Sequence, residues 1–221
     1  MDAKTEVAPD LLASRFLLVS RLADDLAHEI KNPLHAMVIN LEVLRRRLAA
    51  GDPEIALERA AVIEHEIDRT HRLVDLLLKL VRPQRTGDQH AHSLAGALDE
   101  VVPLIVLRAR LAHVPLIADD VDVDAAIGTS HGAVKFALLA LTEPIIDRLR
   151  AWERPEESRG LRLSVEHGDE VRIRLETEPD ALPDSTARTL AGHFLAEGGG
   201  RIERDPTEPA IYIVLPRVTG T

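Results

Sequence analysis

Leu26-Ala27-His28-Glu29-Ile30-Lys31-Asn32-Pro33-Leu34 places a histidine, a neighbouring acid, an asparagine one turn on and then a proline inside a single apolar pattern. Leu22, Leu26, Ile30, Pro33, Met37, Leu41, Leu44 and Leu48 recur at steps of four and three, with Leu34 alongside. That spacing is a heptad seam along a helix. His28 stands two positions from both Leu26 and Ile30, about 200° of helix rotation, so it faces away from the seam and toward solvent. Asn32 follows one turn later on the same side and His35 a turn further, while Arg21 and Asp24 extend that face backward. An exposed imidazole is nucleophilic near neutral pH and reachable by another protein, as a phosphoryl acceptor must be. Glu29, about 100° round the helix, is placed to orient the ring or accept its proton. Pro33 has no N–H, so the carbonyl of Glu29 loses its helical partner and a kink is expected there.

Working outward, a second helix reads from Ala56, Ala60, Ile63, Ile67, Thr70, Val74, Leu77 and Val81. Between the two lies Ala49-Ala50-Gly51-Asp52-Pro53, in which Gly51 ends the first helix, Asp52 caps the second and Pro53 suits its first turn. Each helix is expected to run ~40 Å. Leu73, Leu76 and Leu80 widen the second seam beyond what one partner helix covers. Two hairpins pairing into a dimeric four-helix bundle would bury it; packing of the hairpin as a monomer on the C-terminal domain is the plainer alternative.

Composition narrows the class. Hydrophobic residues make up 45% of the 221, but aromatic ones are limited to three Phe, one Tyr and one Trp, so the core is built from Leu, Ile, Val and Ala. The net charge of −10 argues against a general nucleic-acid binder and against anionic membrane surfaces. The chain has no cysteine, which excludes disulfides and thiolate metal sites and fits a cytoplasmic setting. No apolar run approaches the ~20 residues of a membrane span. The N-terminus, with Asp2 and Glu6, does not resemble a signal peptide, and the few residues ahead of the first helix leave no room for a sensor domain. A zincin motif is excluded, because His-Glu-x-x-His needs histidine at position 32.

The polar stretch Pro83–His92 reads as a linker. His90 and His92 within it have no acid or cysteine cluster to complete a metal site. The second half alternates helices and strands. Leu94–Leu111 is expected to be helical, with Pro103 dividing it, and His131–Trp152 is a long helix carrying Pro144. Strands are expected at Val114–Ala118 and Ala125–Gly128. Leu161–Glu166 and Val171–Thr177 flank the hairpin signal His167-Gly168-Asp169-Glu170. Thr186–Glu197 is helical and ends in Gly198-Gly199-Gly200, a C-cap and turn rather than a phosphate loop, since it follows a helix instead of opening one. Arg201–Arg204 and Ala210–Leu215 form a second hairpin.

The nine residues around His28, set in a helical hairpin, resemble the phospho-accepting H-box of the two-component histidine kinases. The resemblance covers residues ~10–86 strongly, and the strand and helix order behind it resembles the α/β sandwich of the kinase ATP-binding domain. It implies an α+β chain of three parts: a hairpin for dimerisation and phosphotransfer over residues 1–86, a linker over 87–92, and a kinase-like ATPase domain over 93–221. It implies that His28 carries the phosphoryl group, that Glu29 assists it, and that Asn32 orients the water that dephosphorylates a receiver aspartate. The implied partner is a response-regulator receiver domain, with Mg²⁺ held only there.

The groups that hold Mg²⁺-ATP in that family are missing. The only asparagines are Asn32 and Asn40, and the expected asparagine box reads Ala140-Leu141-Thr142-Glu143-Pro144-Ile145. No Asp precedes a Gly by two positions; the expected place reads Thr177-Glu178-Pro179-Asp180-Ala181. Asp184-Ser185-Thr186 opens the next helix as a cap, and Glu178–Ser185 is too short for a nucleotide lid. The pattern resembles the dimeric histidine phosphotransferases with degenerate ATP domains. The expected function is a histidine phosphotransferase or receiver phosphatase that binds no cofactor tightly. A non-catalytic pseudokinase binding module and a histidine kinase with a divergent nucleotide site are the alternatives.

Overall fold

The structure, a computed structural model, describes residues 10–81, 92–119, 121, 125–152 and 160–218. Helix α1 spans Leu11–Ala49 and helix α2 spans Pro53–Val81. Asp10 caps the first of them, its Oδ1 accepting from the N–H groups of Leu12 and Ala13. With 39 residues α1 runs ~58 Å, longer than expected because its regular pattern begins at Leu11. It stays helical through Pro33, whose ring is buried. Gly51 takes a left-handed φ of 76°, a conformation open to glycine at little cost, and turns the chain into α2.

The buried stripe of α2 differs from the one the heptad phase suggests. Ala56 is buried as that phase expects, but further along Leu73 and Leu80 are buried, whereas Ile67, Val74 and Val81 are exposed. Both stripes are apolar, so periodicity alone does not decide which one turns inward.

The chain divides into two compact units, one formed by the hairpin from Val19 onward and the other by the first two turns of α1 together with the elements from residue 92. Within the second unit, the Arg15 guanidinium lies over the rings of Phe136 and Phe194, at 5.3 and 5.5 Å from their centroids.

In that second unit, β1 (His92–Ser93), α3 (Leu94–Leu111), β2 (Leu116–Ala118), β3 (Ala126–Ile127) and α4 (His131–Ala151) come first. They are followed by β4 (Leu161–His167), β5 (Glu170–Thr177), α5 (Ser185–Leu195), β6 (Arg201–Arg204) and β7 (Ala210–Pro216). Five strands form one sheet in the order β2-β4-β5-β7-β6, and β1 pairs with β3 separately, His92 opposite Ile127. β2 runs parallel to β4; the other neighbours in the large sheet are antiparallel. Along β5, buried Val171, Ile173, Leu175 and Thr177 alternate with partly exposed Arg172, Arg174 and Glu176. That alternation is expected of a sheet with one face on a core. On the other face Tyr212 lies beneath Arg172 and Arg174, and burial together with a hydrogen bond to Glu208 pushes its phenol up to about 12.

Helix α4 is buried along nearly its whole length, which explains its lack of a polar face. Ser93, Ser130 and Asp184 cap α3, α4 and α5 with side-chain oxygens. Pro103 does not divide α3, because flanking Val101, Leu104 and Ile105 are all held in the core. The linker assigned to 87–92 lies outside the described residues except for His92, which belongs to β1.

Candidate functional site

His28, Asn32 and His35 are all exposed on α1, as are Arg21 and Asp24, while Leu22, Leu26 and Pro33 are buried. One face of the helix thus carries the polar groups that the spacing places together. His28 is exposed, and its imidazole makes no hydrogen bond or ion pair with any described residue.

Glu29 does not reach toward His28. Its Oε2 accepts from Arg69 Nη2 on α2 at 3.0 Å, and its Oε1 accepts from Asn32 Nδ2 at 3.3 Å. Arg69 also lies 3.9 Å from Glu66. The carboxylate, 12% exposed, therefore links the two helices and anchors the amide of Asn32 through its nitrogen. The Asn32 carbonyl oxygen accepts no hydrogen bond from a described residue, and an amide oxygen on an exposed residue is an acceptor suited to holding a water molecule. Arg69 is the residue missed in the sequence. Its relevance depends on a contact forty positions away, visible only by folding the chain back at Gly51.

In the second unit, the positions corresponding to the expected nucleotide contacts are engaged internally. Glu143 is buried and accepts from Arg108 Nε at 3.2 Å, and Arg108 Nη2 lies 2.6 Å from Asp147 Oδ1. Thr142 bonds back to the Leu138 carbonyl. The segment from Glu178 to Asp184 forms a single 3₁₀ turn at Pro179–Ala181, with Ala181 and Leu182 buried. Arg148 of α4 donates to the carbonyl of Leu182 and lies 3.4 Å from Asp184. Asp184 in turn accepts from the Ala187 N–H at 2.9 Å, as the cap expected from the sequence.

Gly198–Gly200 serves as the turn into β6. A Cβ on Gly198 would sit 2.5 Å from the Thr129 Cα, and Gly199 has φ 70°. Among the described residues, no group of three His, Asp or Glu side chains is arranged to hold a metal. His92 instead meets the edge of the His131 ring, with centroids 5.5 Å apart; His90 lies outside the described residues.

Residues 18–86 match the His Kinase A (phospho-acceptor) domain. Over 107 residues the chain is 30% identical to the signal transduction histidine-protein kinase AtoS of Escherichia coli (strain K12), covering 48% of this chain and 17% of that protein. It is 28% identical over 103 residues to sporulation kinase D of Bacillus subtilis (strain 168), covering 46% of this chain and 19% of that protein. The chain thus spans under a fifth of the length of these curated relatives. A solved histidine kinase from Burkholderia phymatum STM815 overlays 91% of this chain and 98% of its own at a TM-score of 0.43 and 13% identity.

Proposed function

We propose that this chain, which belongs to the two-component histidine kinase family through the phospho-acceptor domain of its hairpin, exchanges a phosphoryl group between His28 and receiver aspartates of response regulators. It does so without drawing on ATP. The observation that carries this reading is the exposed imidazole of His28, uncommitted to any described residue, with Asn32 one turn on. In the forward step the P–O bond of an aspartyl phosphate breaks as a P–N bond to a ring nitrogen forms, and the imidazole proton passes to solvent. Glu29, committed to Arg69 and Asn32, acts as a positioning residue in this scheme. For receiver dephosphorylation, the Asn32 carbonyl orients a water in line with the aspartyl phosphate, and Mg²⁺ belongs to the receiver.

The reading without nucleotide rests on the donor set. Asparagine is absent after position 40, Glu143 is spent on Arg108, and Asp184 is spent on capping α5. No binding of Mg²⁺-ATP is expected in a calorimetric titration. Micromolar binding would favour a histidine kinase with a divergent site instead. Incubation first with labelled ATP alone and then with a phosphorylated receiver separates the two: label is expected on the protein only in the second mixture.

The same proposal includes a homodimer. Leu34, Leu41 and Leu48 on α1 and Ile67, Val74 and Val81 on α2 are exposed at heptad spacing. Two such hairpins would bury these stripes in a four-helix bundle. Light scattering at micromolar concentration is expected to give twice the chain mass of 24.3 kDa, and Ile67→Asp with Val74→Asp is expected to return it to the single-chain mass. Wild type already at the single-chain mass would contradict the bundle.

A further inference from the structure

We infer that the groove between α5 and the edge strand β6 binds an extended acidic segment of a partner protein, which joins the sheet as a sixth strand. This surface lies outside the phosphoryl-transfer site, and the inference does not depend on that chemistry.

Among the described residues β6 ends the sheet and pairs only with β7, so one row of its backbone donors and acceptors has no partner strand there. Such an edge is a template for another chain. Beside it α5 leaves a groove of about 350 Å³, lined by Arg188, Thr189 and Gly192 of the helix and by the whole of β6, Arg201–Arg204, Glu203 included. Gly192 contributes open space, because a Cβ built there would meet nothing within 4 Å.

The register of β6 sorts its side chains. Ile202 stands opposite Ile213 and Arg204 opposite Ile211, so both lie on the helix face and border the groove. Arg201 and Glu203, opposite Val214 and Tyr212, lie on the other face. Both still border the groove, and there the Glu203 carboxylate is already matched by Arg172 at 3.0 Å and Arg201 at 2.7 Å, so its charge is offset before any ligand arrives.

The charge of the groove indicates its occupant. Arg204 makes no hydrogen bond or ion pair with any described residue. Arg188 donates to the carbonyl of Asp184 at 3.3 Å and has no carboxylate partner among the described residues. In a chain of net charge −10, Arg188 and Arg204, neither paired with a carboxylate among the described residues, flank Ile202, while the one acid on the lining, Glu203, is already ion-paired. Arginines that merely guard an edge need no groove and no vacant wall beside them. A strand with a small apolar residue over Ile202 and acids two positions to either side matches the period-two spacing of side chains on one face.

The probe is a labelled peptide, Glu-Thr-Val-Thr-Glu, titrated into the full chain and followed by fluorescence anisotropy. Saturable, salt-sensitive binding is expected, together with slower hydrogen exchange at Ile202–Arg204. The double variant R188E/R204E, altered at one half-buried and one exposed position outside the core, is expected to bind at least about tenfold more weakly, and the lysine analogue Lys-Thr-Val-Thr-Lys is expected not to bind. N-methylation at alternate peptide residues is expected to weaken binding, while methylation at the intervening ones leaves it unchanged. The inference is overturned by any of four results: no binding of the acidic peptide up to roughly 1 mM, equal binding to the double variant, equal binding of the lysine peptide, or exchange protection that misses β6.

Discussion

Replacing His28 by alanine is expected to abolish acid-labile labelling of the protein by a phosphorylated receiver. The imidazole is the group whose lone pair forms the P–N bond, and alanine offers no replacement nucleophile. His28 is exposed on a helix whose buried side is formed by Leu22, Leu26 and Pro33, so the substitution leaves packing intact. Circular dichroism of the variant is expected to match wild type. His35→Ala, on the same face, is expected to weaken receiver docking while labelling persists. Asn32→Ala is expected to leave labelling in place and to slow receiver dephosphorylation on the order of 10–100-fold, because its amide positions water and carries no phosphate. Arg69→Ala removes the cation that holds Glu29, and through Glu29 the amide of Asn32. It is expected to move dephosphorylation in the same direction as Asn32→Ala by a smaller factor, again with labelling intact. Persistent label on His28→Ala would mean that the nucleophile has been misassigned. Failure of every receiver to label the wild type would leave a binding module.

The largest effect on stability is expected from Arg108→Ala. Arg108 is buried with its guanidinium on Glu143, itself 4% exposed, and on Asp147. Removing one partner of a buried ion pair leaves the other charge in a medium that solvates it poorly, at a cost of about 3–5 kcal/mol. Urea unfolding followed by Trp152 fluorescence measures this directly. Glu143→Gln in the same background is expected to recover part of the loss, since a neutral amide costs less to bury than a carboxylate. If Arg108→Ala unfolds at the wild-type midpoint, the pair contributes nothing.

Much of this architecture is legible in the residues, for identifiable reasons. α1, α2, α4 and α5 carry long apolar periods or clear end signals, such as Gly51 and Asp184. The two hairpins flank short polar turns, and β4 and β5 show the two-residue alternation that strands require. The failures are equally physical. β1 has two residues, too few for any period, and exists because His92 and Ile127, the latter inside the strand expected at Ala125–Gly128, find each other across the sequence. Pro103 is a helix breaker in isolation, yet the core on both sides of it holds α3 together. The phase of α2 was ambiguous between Val74 and Leu73, both apolar and one position apart. At the candidate site the exposure of His28 followed from rotation about one helix, whereas the engagement of Glu29 required a second helix. Buried Arg108 and Glu143 carry no local signal at all, since a charge in an apolar run gains its meaning from a partner thirty-five residues away.

The division into two units has a spectroscopic consequence. Between Val19 and Arg82 the sequence contains no Phe, Tyr or Trp, so the hairpin is silent in near-ultraviolet absorbance and in intrinsic emission. Those signals arise from the other unit, where the sole tryptophan, Trp152, closes α4. The far-ultraviolet helical signal, by contrast, is weighted toward the two longest helices, α1 and α2. One unlabelled sample heated under both detections therefore reports the melting of each unit separately, and any gap between the two curves measures how far the units unfold independently.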